Sequence, residues 1–559
     1  MESTGPATTT SAAAAEQSPT YNFLVEFAYR HVDFQMAELE AVLSMNGIVM
    51  GSHCQIQPLL NHDVYEKTLA DFTRAGNSTT KQMTGGARRP FVLLRFPIDS
   101  PFLQNKTDGA QDIASMILSR CALVRSVCEL WAMDPTIQGC AARVKAWTED
   151  TNLGRQTFQR LVSQTWKVTV HTLGCRYTVD EQNAMRANFS FLELLGPVKL
   201  KDCDNEYILI REIELDAQGG AIFPRFDKDK KLIVANDKRP PLAWYFGRVL
   251  GGRNLRGRGQ IDTYSLKKRA YLGPTSMDTE LSFIMTNLAH VKPGCVAIDP
   301  FVGTGSILLS CALRGAYCMG TDIDIRVLRG KGDDQTVFAN FEQYGLPRPE
   351  LIRSDNALYH RHYRTEHPMY DAIVTDPPYG IRAGARKTGS RHDQPLEIPD
   401  EHRHDHIPQT KPYAVSDVMS DLLDMAARTL VMGGRLVYII PSMSDFSVDD
   451  LPRHPCLKLV HICYQPLSLE LGRRLVAMEK IEHYNVNDRD SYLKYIWKNG
   501  PESAEKCANL REKLIEAAKQ KPGYEEKAAV RKQKRKETKE ARKRSKQANK
   551  SEEEAKNDA

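Results

Sequence analysis

No run of about 18 uncharged apolar residues occurs in the 559-residue chain, so no transmembrane helix is expected. The opening segment, "MESTGPATTTSAAAAEQSPT", lacks a basic start and a long apolar core. It therefore does not read as a signal peptide, and residues 1–19 are expected to form a disordered tail. The twelve cysteines are scattered, and no two stand at CxxC spacing. A disulfide framework and a zinc finger both find little support in that pattern, which fits a reducing, cytoplasmic compartment better. No internal repeat stands out.

Charge of one sign is also scarce, except in one place. The net charge is +6, yet residues 531–546, "RKQKRKETKEARKRSK", hold ten basic and two acidic residues and so carry +8 alone. This run is either a solvated tail or a nonspecific RNA-binding or nuclear-import element. The rest is near neutral, so any nucleic-acid contact has to come from local patches.

The length allows two or three folded units. Residues 20–240 mix helical and strand patterns without a strict βαβ rhythm, which predicts an α+β half. "YNFLVEFAY" and "GGARRPFVLLRFP" read as strands, and "HVDFQMAELEAVLSMNG" reads as a helix ending at Gly47. In "AQDIASMILSRCALVRSVCELWAMD", Ile113, Met116, Ile117, Val124, Val127 and Trp131 stand at helical intervals. A helix followed by a strand with Trp166, Val168 and Val170 on one face is expected next. Residues 241–264 are rich in Pro, Gly and Arg and read as a basic linker, either solvated or lying along a phosphate backbone through Arg248, Arg253, Arg256 and Arg258. From 265 to 485, apolar strand-like runs alternate with helical ones, the pattern of a doubly wound, mainly parallel α/β sheet of Rossmann-like type. Residues 486–559 read as a charged helical or disordered tail.

Four strand ends in this second half carry chemistry. "CVAIDPFVGTGSILLSCAL" ends a buried strand at Asp299, turns through Gly303 and Gly305, and starts a helix near Ser306. Glycines there permit positive φ and close approach of a ligand to the backbone. Asp322, in "GTDID", lies 23 residues after Asp299, near the spacing at which an acid meets ribose hydroxyls. Asp324 reads as a helix cap. "RSDNAL" places Asp355 and Asn356 where an adenine edge can be met. Three acids at successive strand ends define a ligand crevice at the carboxyl edge of the sheet.

The fourth strand ends at "TDPPYG". Two prolines cannot continue a central strand, because each lacks the N–H and fixes φ. Pro377 and Pro378 give a stiff backbone with outward carbonyls, and Asp376 adds a carboxylate acceptor. Together they can accept both hydrogens of one planar amino group and aim its lone pair. Tyr379 can stack on the attached heterocycle. Arg382, Arg386 and Lys387 follow closely, either as phosphate contacts or as surface charge. His402, His404 and His406 in "PDEHRHDH" read chiefly as a solvated loop, and no metal site is assigned.

These motifs resemble the class I S-adenosyl-L-methionine-dependent amino-methyltransferases, with Phe301 standing where the commoner first motif has a glycine. The resemblance implies that Asp299, Phe301, Gly303 and Gly305 surround the methionine part, Asp322 holds the ribose, and Asp355 with Asn356 meets the adenine. "YLGPTSMDTELSFIMTNLA", "TDPPYGIRAGARK", "GRRLVAMEKI" and the upstream "WKVTVHTLGCRYTVDEQNAMRANFSFLELLGPVKLKDCDNEYILI" narrow it to the tRNA guanosine-N2-methyltransferases acting on guanosine 10. That family implies a ferredoxin-like segment and a THUMP RNA-binding domain over residues 20–240, Thr275 and Ser276 near the cofactor, tRNA as substrate, and a small zinc-binding activator subunit as partner. Other exocyclic amines (a different guanosine, or adenine N6) remain as alternatives, as does a noncatalytic RNA-binding protein on the same fold.

Overall fold

The computed structural model describes residues 20–28, 31–61, 89–104, 108–172, 177–213, 241–251, 257–363, 367–379, 384–389, 409–443, 446–467 and 471–497, with residues 504, 519 and 533. The N-terminal tail, Arg253, Arg256, Gly380, Arg382, the His402–His404–His406 cluster and the basic 531–546 run as a whole lie outside these residues.

Two seven-stranded sheets organise the chain. The first contains β1 (Thr20–Phe27), β2 (Gln55–Gln57), β3 (Phe91–Pro97), β4 (Val124–Asp134), β5 (Trp166–Thr172), β6 (Asn205–Ile213) and β7 (Pro241–Leu250) in the order β2-β3-β1-β4-β7-β6-β5. All its pairs are antiparallel except β5 with β6. The expected helix Val32–Met45 is present, and the Trp166–Val170 strand lies at the edge of this sheet.

Two expectations fail here. Residues 121–134 are not helical: the helix Gly109–Arg120 stops at Cys121, and β4 follows. β4 is buried without a break from Val127 to Ala132, so its apolar residues do not alternate with exposed polar ones as a half-buried strand's would. Nor does a linker begin at Pro241. β7 is an inner strand between β4 and β6, buried almost throughout. Pro241 stands at the strand start, where a missing N–H is tolerated. Gly247 lets the β4 backbone close in, since a Cβ there would sit 2.1 Å from the Glu129 carbonyl oxygen. Arg248 is buried and paired with Glu129 (2.9 Å) and Asp108 (3.2 Å), so it contacts no phosphate backbone in this arrangement.

The second sheet contains β8 (Val296–Asp299), β9 (Tyr317–Asp322), β10 (Glu350–Arg353), β11 (Tyr370–Thr375), β14 (Leu430–Met443), β15 (Leu457–Pro466) and β16 (Leu471–Lys480) in the order β10-β9-β8-β11-β14-β16-β15. The first five run parallel, and β16 is antiparallel to both β14 and β15. The order reverses between β8 and β11, so a crevice opens at their carboxyl ends. A two-stranded ribbon of β12 (Arg386–Thr388) and β13 (Thr410–Pro412) stands apart. The fold also runs past residue 485: the helix Arg489–Ile496 buries Ile496, and the Trp497 indole donates to Ser420 Oγ at 2.9 Å.

The two halves share one core. Apolar residues of β1, β3 and the helices Val32–Met45 and Gly109–Arg120 are continuous with those of the helices Thr279–Leu288 and Ser306–Leu313. Fully buried Glu38 sits on that seam. It accepts from the Ala122 and Leu123 N–H groups (2.8 and 2.9 Å) and from the Asn287 amide (2.8 Å). Asn287 donates in turn to the Arg120 carbonyl at 2.9 Å.

Candidate active site

The loop after β8 is shaped by its glycines. Gly303 (φ 51°) and Gly305 (φ 77°) both occupy the left-handed region, which L side chains disfavour. A Cβ on Gly303 would meet only the Phe301 carbonyl oxygen, at 4.0 Å, whereas one on Gly305 would lie 2.6 Å from Val337 Cγ1. Gly305 caps the helix Ser306–Leu313, whose first N–H groups face the crevice edge.

Asp299 ends β8 and is buried. Its Oδ1 accepts from the Phe301 N–H (3.0 Å) and from Thr375 Oγ1 (2.6 Å). Burial, with Asp322 and Asp376 nearby, lifts its carboxyl to about 7. Asp322 ends β9. One oxygen accepts from the Gly303 N–H (3.0 Å) and the other from the Asp324 N–H (2.9 Å). Burial raises its pKa as well. Asp324 caps the following helix, as expected.

Asp355 and Asn356 follow β10 and divide their labour. Asp355 is occupied by backbone: Oδ1 accepts from the Ala357 N–H (3.0 Å) and Oδ2 from the Thr388 N–H of β12 (2.6 Å). Asn356 is buried, and neither its Oδ1 nor its Nδ2 has a protein partner among the described residues. The Ser354 and Ser306 hydroxyls are buried and unpartnered in the same sense. Leaving such groups dry costs about 1–3 kcal/mol each, so an unfilled amide beside the crevice points to a polar ligand there.

The segment before β8 folds back over the glycine loop. Ser276 Oγ lies 2.7 Å from Thr304 Oγ1 and accepts from the Gly273 N–H at 3.0 Å. Thr275 is exposed on the same turn. Tyr271 and Asn340 exchange two hydrogen bonds of 2.9 Å and fasten the segment to the domain.

At the end of β11, Pro377 is buried, while Asp376, Pro378 and Tyr379 are half-buried. Burial, followed by the charge of nearby Asp376 and against the opposing charge of Arg473, pushes the Tyr379 hydroxyl pKa up to about 12. Of the basic residues that follow, Arg386 donates to Thr410, and Lys387 lies 3.2 Å from Asp417. Direct hydrogen bonds thus join Asp299 to Phe301 and Asp322 to Gly303, Gly305 closes the same loop, and Thr375, bonded to Asp299, adjoins Asp376. Thr304, Thr375 and Arg473 escaped sequence reasoning. Thr375 adjoins the Asp-Pro-Pro-Tyr corner and could have been suspected; Arg473 arrives on a distant antiparallel strand and could not.

A family model described as "Tmrp11 THUMP N-terminal domain" matches residues 90–225, and one described as "RMKL-like, methyltransferase domain" matches residues 267–391. The chain is 35% identical over 474 residues to the Dictyostelium discoideum "tRNA (guanine(10)-N(2))-methyltransferase TRMT11", covering 83% of each chain. It is 32% identical over 489 residues to the Homo sapiens protein of the same name, covering 84% of this chain and 90% of that one. Among solved structures, TrmN from Thermus thermophilus aligns over 82% of this chain and all of that one at 14% identity and a TM-score of 0.35.

Proposed function

The chain belongs to the tRNA (guanine(10)-N(2))-methyltransferase TRMT11 family, and on that premise we propose that it transfers a methyl group from S-adenosyl-L-methionine to the exocyclic N2 of guanosine 10 in tRNA. The observation that carries this reading is the bonded continuity from the glycine loop through Asp299 and Thr375 to the Asp-Pro-Pro-Tyr corner.

The crevice fits the cofactor. The positive-φ Gly303, where a Cβ would touch only the Phe301 carbonyl oxygen, the unfilled Asn356 amide and the Asp322 carboxylate at the neighbouring strand end offer a backbone cradle, a base-edge donor–acceptor pair and a hydroxyl acceptor. When bound, the cofactor supplies an electrophilic methyl group on a sulfonium. Asp299 and Phe301 line the methionine side, with Ser276 and Thr275 above it. Asn356 reads the adenine edge. Asp355 acts mainly by holding β12 against that edge.

Asp376 and the rigid carbonyls of Pro377 and Pro378 accept the two hydrogens of the guanine amine. This concentrates the nitrogen lone pair on the side facing the methyl group. Tyr379 offers a ring face to the base, which must leave its stack to reach this corner. The nitrogen loses a proton only after alkylation has made it acidic, so no strong base is needed.

The N-terminal sheet, part of which matches the THUMP model, supplies the tRNA grip. A small zinc-binding activator subunit and a cytoplasmic location complete the reading. None of the ten described cysteines is in a disulfide, and no helix among the described residues is long and apolar enough to cross a membrane. The test is Asp376→Ala, with cofactor binding followed by calorimetry and turnover on tRNA transcript. Binding is expected to persist while turnover falls by at least about a hundredfold; retained turnover overturns the assignment.

A further inference from the structure

The short turn Asn356–Leu358, which carries the unfilled amide, is fastened at both ends. At its start, Asp355 Oδ2 accepts from the Thr388 N–H of β12 at 2.6 Å. At its end, the Tyr359 N–H donates to the Asn356 carbonyl. The Tyr359 side chain is fully buried, and its hydroxyl donates to Asp424 Oδ2 at 2.5 Å on the helix Val415–Thr429.

Asp424 is the shared acceptor of a dry cluster, itself fully buried. The Tyr484 hydroxyl donates to its Oδ1 at 3.0 Å. His454 Nδ1 accepts from the Cys456 N–H at 3.1 Å, so the neutral ring carries its proton on Nε2, which faces Asp424 Oδ1 at 3.6 Å. Arg489 opens the helix Arg489–Ile496 and reaches the Tyr359 hydroxyl through Nε and Nη2, at 3.3 and 3.2 Å. A guanidinium only donates and a carboxylate only accepts. The Tyr359 hydroxyl therefore accepts from Arg489 and donates to Asp424. The Arg428 guanidinium covers the Tyr359 and Tyr484 rings, 5.5 and 5.3 Å from their centroids.

We propose that Tyr359, held by Asp424 and Arg489, is a positioning residue for cofactor binding: it sets the angle of the Asn356–Leu358 turn so that the Asn356 amide meets the adenine edge. This rests on the place given to Asn356 above. A ring alone fills the space under the turn, while the doubly bonded hydroxyl fixes how the ring is rotated there. Because Arg489 lies on a helix beyond residue 485, a segment that reads in sequence as part of a charged tail contributes to cofactor affinity.

The test measures calorimetric binding of S-adenosylhomocysteine and of its analogue with purine in place of adenine, which lacks only the 6-amino group. The proteins are the wild type, Tyr359→Phe, Arg489→Ala, Arg489→Lys, Asn356→Leu and the Asn356→Leu/Tyr359→Phe double variant. The wild type is expected to prefer the adenine ligand by about tenfold or more, since the analogue leaves the buried amide short of a partner. Tyr359→Phe is expected to weaken the adenine ligand by about tenfold and the analogue by less than about threefold, with the tRNA KM changed by less than about threefold. Arg489→Ala is expected to lower the same preference, and Arg489→Lys, which keeps a donor, to recover part of it. In the Asn356→Leu background Tyr359→Phe is expected to add little, because residues acting through one contact are not additive. Native preference in Tyr359→Phe, equal weakening of both ligands, or a full further loss in the double variant each overturns the proposal. Should Tyr359→Phe not fold, the two Arg489 variants decide by the same ratio, and native preference in Arg489→Ala overturns it. If Asn356→Leu keeps the wild-type preference, the reading of Asn356 itself falls. If Asn356→Leu loses it and Tyr359→Phe does not, only the role of Tyr359 falls.

Discussion

Thr375 Oγ1 lies 2.6 Å from Asp299 Oδ1, joining the last residue before the Asp-Pro-Pro-Tyr corner to the last residue before the glycine loop. The two residues are 76 positions apart in sequence. They meet because β8 and β11 are parallel neighbours at the point where strand order reverses. A direct hydrogen bond therefore joins the strand end before the cofactor loop to the one before the acceptor corner.

That contact has a pH signature. Burial lifts the Asp299 carboxyl to about 7, while an unfolded aspartate titrates near ~3.9. Between these values the native state keeps a proton that the unfolded state has released. The contribution to stability is complete below the unfolded pKa and is lost as pH rises through about 7. Asp299→Asn removes this titration but keeps an acceptor for Phe301 and Thr375. Thermal melts of the two proteins are expected to diverge in the variant's favour between pH 5 and pH 8; parallel curves would count against a carboxyl raised that far.

Asp322 and Asn356 should fail differently. Asp322 anchors the Gly303 and Asp324 N–H groups, so Asp322→Ala is expected to lower the melting temperature and weaken cofactor binding by about tenfold or more. Asn356 has no protein partner for its amide among the described residues. Asn356→Leu is expected to leave the free protein as stable or more so and still weaken the cofactor by about tenfold. Calorimetry and melting together separate the pair, and an Asn356→Leu protein with native affinity would remove Asn356 from the site.

Glu38 holds the seam between the halves. Glu38→Ala would strand the Ala122 and Leu123 N–H groups and loosen Asn287 in a dry core. A loss of about 3 kcal/mol is expected, seen as a fall of about 5 °C or more in Tm. Glu38→Gln, which keeps one acceptor, should lose less. Equal melting of all three proteins would show that the seam carries little stability.

The second sheet was legible because its central parallel strands are largely buried and punctuated by acids and glycines at their ends; "CVAID", "GTDID" and "YDAIVTDPPYG" each announce a boundary. The first sheet was harder. β4 carries apolar residues at helical intervals although it is an inner strand, and β7 hides behind prolines and arginines that mimic a linker. Arg248 looked like a phosphate contact because its partners, Glu129 and Asp108, are more than a hundred residues away in sequence. Asp355 kept its place beside the crevice but turned out to be taken up by Ala357 and Thr388. The charge that Arg473 brings near Tyr379 depends on the register of an antiparallel strand, which no local pattern encodes.

The most direct measurement of the central claim is methyl transfer to a tRNA transcript whose guanosine 10 is replaced by inosine, which lacks only the 2-amino group. Nucleoside mass spectrometry is expected to find one N2-methylguanosine per unmodified transcript and no transferred methyl on the inosine transcript, with tRNA binding unchanged. Equal methylation of both transcripts would contradict the account, since the amine that Asp376 is held to grip would then not be the group that reacts.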